Sequence, residues 1–191
     1  MQKRSHTLLA QTLLDNCDGF RKKRYELAFL FGSFQPDCNP LSYLKGSLRA
    51  KKFMGHNFSN SQRYINRHIV RLQRRARWTL WQYYTLGKLT HYLADAFTFP
   101  HNDTYPNSLL EHRRYEDALR LQFAQYLSGG MPCRFHSRAN VTDAISRLHR
   151  QYLTAQSNFR RDARFILAAN DLNYFKRFNL CTIISSVQLT F

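Results

Sequence analysis

The sequence predicts an all-α protein, a multi-helix bundle. Apolar residues recur at helical spacing along most of the chain. Serines favoured at helix N-caps stand before several of these runs. Histidines and carboxylates stand four residues apart at His91/Asp95 and at His112/Glu116, the spacing that stacks side chains on one helical face.

Taken in order, His6 to about Cys17 carries Leu8, Leu9, Leu13 and Leu14, with Ser5 as its cap. Phe20 to Phe31 is a second helix, stopped by Gly32. Ser33 to Pro40 contains two prolines and reads as a loop that holds Asp37. Leu41 to Lys52 reads as a short helix, followed by a break at Gly55-His56. Ser59 or Ser61 caps a helix running to about Arg74. Ala76 to Phe97 is long and apolar, and Phe99-Pro100 ends it. Ser108 caps a helix from Leu109 to about Leu127, which Ser128-Gly-Gly-Met-Pro132 closes. Asn140 to Leu153 and Ser157 to Leu172 are two more. Tyr174 to Phe191 is β-branched towards its end and reads as extended or poorly ordered. The domain organisation that follows is one helical metal-binding domain over 1–173 and a tail over 174–191.

Composition narrows the function classes. The chain has 191 residues, 43% apolar and 15% aromatic, which suits one core and argues against disorder. No apolar run approaches the roughly 18–20 residues that span a bilayer. The basic start at Met1 to Arg4 is followed by apolar sequence that Gln11 and Thr12 interrupt and Asp15 closes, unlike a secretory signal. Cys17, Cys38, Cys133 and Cys181 form no Cys-x-x-Cys pair and read as free thiols. These features predict an intracellular, cytoplasmic chain. The net charge of +17 predicts attraction to polyanions, whether nucleic acid, anionic membrane or phosphorylated substrate. No acidic residue lies between Asp37 and Asp95, whereas Arg63, Arg67 and Arg71 form a basic stripe there that could collect such a substrate.

The chemistry concentrates between His91 and Glu116. His91 and Asp95 point at one spot, His112 and Glu116 at another, and His101 stands at the corner between them. Two helical His/carboxylate pairs with a histidine between them are what a site for more than one metal ion requires. His6, Asp37 and His56 are further candidate donors upstream. The other histidines, His68, His136 and His149, read as having no chemical role, and Trp78, Trp81, Tyr84, Tyr92 and Tyr115 as core packing.

These residues resemble the zinc-dependent phospholipase C family, which shares its fold with the S1/P1-type nucleases. The likeness is most specific from Leu86-Gly-Lys-Leu-Thr-His-Tyr-Leu-Ala-Asp95 through Pro100-His101, and extends to His112-x-x-x-Glu116. Ser5-His6-Thr-Leu-Leu matches the family's N-terminal histidine segment. The resemblance implies that Asp37, His56, His91 and Asp95 hold one zinc ion, and that His101, His112 and Glu116 hold a second. A third would be held by His6 and Asp95, with Asp95 bridging. Secreted members complete that third site with a processed N-terminal tryptophan. Here Met1 stands five residues before His6 and its amine is the candidate donor. Phe53 matches an aromatic of the family's choline pocket, but Cys38 replaces the tyrosine expected after the loop aspartate.

The function implied is a zinc-dependent phosphodiester hydrolase of phospholipase C type. Two or three zinc ions would activate water for in-line attack on a phosphate ester, with Asp37 as the catalytic base. Two alternatives stand beside it. One is an S1/P1-like nuclease acting on single-stranded nucleic acid, which the charge favours. The other is a non-catalytic basic module that binds nucleic acid or anionic membrane.

Overall fold

Helix caps and buried faces decide where the elements begin and end. The computed structural model describes residues 1–16, 19–38, 58–102, 105, 108–129 and 140–178. Among these are seven α-helices, one 3-10 turn and no strand. The all-α prediction agrees with this. The helix predicted over Leu41–Lys52, with Phe53 and His56 after it, lies outside the described residues, as do residues 179–191.

Helix α1 spans Lys3–Asp15 and buries Ser5, His6, Leu9, Ala10 and Leu13. Ser5 is therefore not the cap. The helix starts three residues earlier, after Gln2, and this places Ser5 and His6 on its inward face. Helix α2 spans Lys23–Cys38 and overrides the predicted stop at Gly32 and the predicted loop that follows. Its buried residues Phe29, Gly32, Ser33 and Pro36 fall at intervals of three, one and three, one continuous helical stripe. Glycine, serine and proline hide that stripe from an apolar count. Asp37 thus stands on the last turn of a helix.

Helix α3 spans Phe58–Gln73, so Ser59 and Ser61 lie inside it rather than at its cap. Phe58 instead anchors its start, stacked on His149 with ring centroids 3.5 Å apart. Helix α4 spans Leu80–Ala96 and begins later than the predicted Ala76, at a capping box between Thr79 and Gln82. The turn Phe99–His101 follows. Helix α5 spans Leu109–Ser128 and opens on a second capping box, Ser108 with Glu111. Helix α6 spans Val141–Thr154, capped by Asn140. Helix α7 spans Phe159–Phe178 and runs past the predicted end at Leu172.

Helix α4 is the axis of the bundle. Leu86, Leu89, Leu93, Ala94 and Ala96 are all at most 1% exposed. Helices α1, α2, α3 and α7 pack around it, α2 most extensively. Trp81 is an exception to the predicted aromatic core: it is 66% exposed at the helix's first turn. Tyr92 does belong to the core, and Trp78 and Tyr115 pack against it. No helix among the described residues is long and apolar enough to cross a membrane.

The α2–α4 contact rests on two glycines. A Cβ on Gly32 would strike the Tyr84 carbonyl oxygen, and one on Gly87 would strike that of Phe29 and lie 2.8 Å from Ser33 N. The backbones therefore touch, which no larger residue permits. Gly87→Ala should destabilise the chain by roughly 1–3 kcal/mol or more in urea denaturation, because backbone cannot rotate away as a side chain can. Gly129→Ala, whose added Cβ meets its nearest atom at an ordinary 3.5 Å, should change stability by less than about 0.5 kcal/mol.

Candidate metal centre

Helices α2 and α4 run side by side in the same direction. Tyr25 stacks on Tyr83 at 4.5 Å near their starts, and Asp37 reaches His91 near their ends. The glycine contact lies between, so the last turns arrive close together. His91 projects from α4 and Asp37 from α2, with 3.6 Å between Nε2 and Oδ1. One turn on, Asp95 Oδ2 lies 3.2 Å from the same His91 Nε2. His91 Nδ1 sits 3.0 Å from the Ser33 carbonyl, which fixes the ring and leaves Nε2 turned towards the carboxylates.

Helix α1 brings His6 to the same place. Its ring stacks on His91 at 3.9 Å, and its Nε2 lies 3.2 Å from Asp95 Oδ1 and 3.9 Å from Asp37 Oδ2. Asp95 thus divides its oxygens, one towards His91 and one towards His6. His6 is fully buried, yet neither ring nitrogen has hydrogen-bond geometry to a partner among the described residues. An orphaned buried imidazole is costly unless something absent from the chain satisfies it.

The second cluster forms where the Phe99–His101 turn meets α5. Glu116 Oε1 lies 3.0 Å from His101 Nε2 and 3.1 Å from His112 Nε2. Four residues apart on α5, His112 and Glu116 share one face. The Met1 amine sits between the clusters, 2.7 Å from Asp95 Oδ1, 2.8 Å from Glu116 Oε1 and 2.8 Å from His101 Nε2. The donor atoms of His6, His91 and Asp95 lie within 4.8 Å of one another, and so do those of His101, His112 and Glu116.

Electrostatics leaves His6, His101, Asp95 and Glu116 in the protonation states that metals bind. Burial, then the neighbouring His91, lowers His6 to about 3, so it is neutral. Burial and then the Met1 amine likewise lower His101. Burial works to raise Asp95 and Glu116, but the Met1 amine and the surrounding histidines outweigh it and hold both well below the usual carboxylate range. Burial opposes charge on the amine itself, but Asp95 and Glu116 raise it to about 10, so a metal ion would have to displace its proton. Neutral imidazole with carboxylate oxygen is a donor set that suits zinc.

The structure brings together Met1, His6, Asp37, His91, Asp95, His101, His112 and Glu116. His56 and Phe53 lie outside the described residues. Arg63, Arg67 and Arg71 occupy the exposed face of α3, opposite the buried stripe Ser61, Ile65, Ile69 and Leu72. The sequence gives no sign of the Ser33 carbonyl, because a backbone acceptor has no residue signature. Nor does it reveal Asn102, which donates to the Ala96 and Thr98 carbonyls and stands 2.9 Å from His149 Nε2. His149, predicted to have no chemical role, is a buried brace of the turn carrying His101.

A pH dependence follows from His6. Its ordinary value is 6.5 and its folded value about 3. Between these the unfolded chain binds more protons, so stability of the metal-free protein falls as pH drops through that window. His6→Gln should flatten this part of the stability profile. Parallel profiles for the two proteins, measured by denaturant titration at each pH, would contradict it.

No curated protein and no solved structure matches the chain. The family model for zinc dependent phospholipase C matches residues 5–159, a span that holds all of the histidine and carboxylate donors described except the N-terminal amine. The chain belongs to the zinc-dependent phospholipase C family, and its function is that of a phospholipase C-like hydrolase.

Proposed function

We propose that this chain hydrolyses a phosphate diester at the paired donor clusters, as a zinc-dependent phosphodiesterase. The observation that carries the reading is the adjacency of two donor sets, with Asp95 Oδ1 of one only 3.9 Å from His101 Nε2 of the other. A structural zinc site is usually one closed set of four protein donors. Here the donors divide into neighbouring groups that share Asp95, and the His101–His112–Glu116 group offers three protein ligands, one fewer than a closed site takes, which suits an ion that keeps a position open.

His91, Asp95 and Asp37 would hold one zinc ion, with His56 as the expected fourth donor. His101, His112 and Glu116 would hold the second. His6, Asp95 and, in a chain that begins at Met1, its amine would hold a third. Bound zinc supplies water activation near neutral pH and charge neutralisation on the phosphoryl oxygens. Asp37 has the most open carboxylate of the cluster, 17% exposed against 1% for Asp95. We assign it to orient the attacking water and take its proton on a carboxylate oxygen. Asp95 and Ser33 keep His91 fixed while that proton moves. Glu116 keeps His101 and His112 turned to the same point.

The family implies a phospholipid substrate. The exposed stripe Arg63, Arg67 and Arg71, in a chain of net charge +17, favours a second reading in which the same site cleaves single-stranded nucleic acid. Turnover of bis-p-nitrophenyl phosphate, a phospholipid emulsion and single-stranded DNA, compared side by side, tests both. Asp37→Asn should lower kcat on the accepted substrate at least about a hundredfold, as loss of a general base does. Turnover of none of the three by zinc-loaded protein would leave the basic binding module as the better account.

A further inference from the structure

Two helices that carry none of the donors close around the turn that carries His101. Asp162, in the first turn of α7, is 0% exposed. Its Oδ2 accepts the Phe99 backbone N–H at 2.9 Å and the Tyr115 hydroxyl at 2.9 Å. Its Oδ1 accepts the Tyr152 hydroxyl at 2.9 Å, together with Arg161 Nε at 3.1 Å and Nη2 at 2.8 Å. Arg161 is itself buried and also donates to the Ala155 carbonyl.

The donors to Oδ2 come from two places in the chain. Phe99 opens the turn that ends at His101. Tyr115 stands next to Glu116 and three residues after His112 on α5. Thr98, at the cap position of the turn, makes no side-chain cap hydrogen bond, so the carboxylate from α7 does that work from a distance. One oxygen therefore ties the segment bearing His101 to the helix bearing His112 and Glu116. The other oxygen ties both to Tyr152 of α6 and to a guanidinium that balances the buried charge. A buried ion pair of this kind adds little stability by itself compared with apolar packing, so what it specifies is geometry.

We propose that Asp162 is a positioning residue for the His101–His112–Glu116 metal set, acting through the Phe99 amide and the Tyr115 hydroxyl. The proposal rests on the metal-binding reading above. It predicts a loss confined to one ion, because none of the Asp162 partners belongs to the segments bearing His6, Asp37 or His91.

The test is zinc titration of the metal-free full-length chain by calorimetry, in two backgrounds. His91→Ala leaves the ion at His101, His112 and Glu116 to be measured, and Glu116→Gln leaves the other set. Tyr115→Phe keeps its ring packing and removes one bond to Asp162. In the His91→Ala background it should weaken zinc binding roughly tenfold, and Asp162→Asn should weaken it by up to about 100-fold, the range seen when partners of metal ligands are removed. In the Glu116→Gln background Tyr115→Phe should change zinc affinity by less than about twofold. Should Asp162→Asn fail to fold, with Arg161 left unpaired, Tyr115→Phe still decides. Equal losses in both backgrounds, or none in either, overturn the role of Asp162 while the metal reading stands. A wild-type chain that takes up no zinc overturns the metal reading, and this proposal with it.

Discussion

The contact between Gly32 and Gly87 is the constraint on which the rest depends. Helices α2 and α4 approach until backbone meets backbone, and only residues without a Cβ allow it. That approach places the Ser33 carbonyl 3.0 Å from His91 Nδ1 and brings the end of α2 within reach of the same ring. A wider spacing would withdraw Asp37 from His91 and leave its other nitrogen without the carbonyl that orients it. It also explains why α2 continues through Pro36, which removes one helical hydrogen bond. Pro36 is buried in the stripe that faces inward, and the packing of that stripe offsets the lost bond.

Around this pair the chain assembles groups that would not remain buried without compensation. Asp95 is 1% exposed and His6 is 0% exposed, and the Met1 amine lies against both Asp95 and Glu116. Burying isolated charge is expensive, so such groups pair or coordinate a metal. In the metal-free chain the amine and the carboxylates balance one another, while His6 stays neutral and lacks a hydrogen bond among the described residues. The family's zinc dependence and the orphaned imidazole point the same way. The helices are arranged to present oxygen and nitrogen atoms to something that the chain does not itself contain.

Much of the site was legible because it is local and periodic. His91/Asp95 and His112/Glu116 are four residues apart within one helix each, so the spacing alone predicts that each pair shares a face. Ser108 was legible as a cap for the same local reason. What sequence could not show was long-range. Gly32 has the form of a helix stop, and only the facing backbone of α4 reveals it as a packing residue. Thr79 with Gln82 is a local cap signal that the apolar run around it masks. Trp81 matches the apolar pattern but stands in the first turn, where the helix projects into solvent. Asp162 and His149 lie more than forty residues from the turn they hold, with no motif to link them to it.

The central claim is that two neighbouring donor clusters each bind a zinc ion. Anomalous diffraction at the zinc absorption edge, from crystals of protein purified without added metal, tests it most directly. The account predicts one peak among Asp37, His91 and Asp95 and a second among His101, His112 and Glu116, with any third beside His6. No peak at either cluster, in crystals offered zinc, would contradict it.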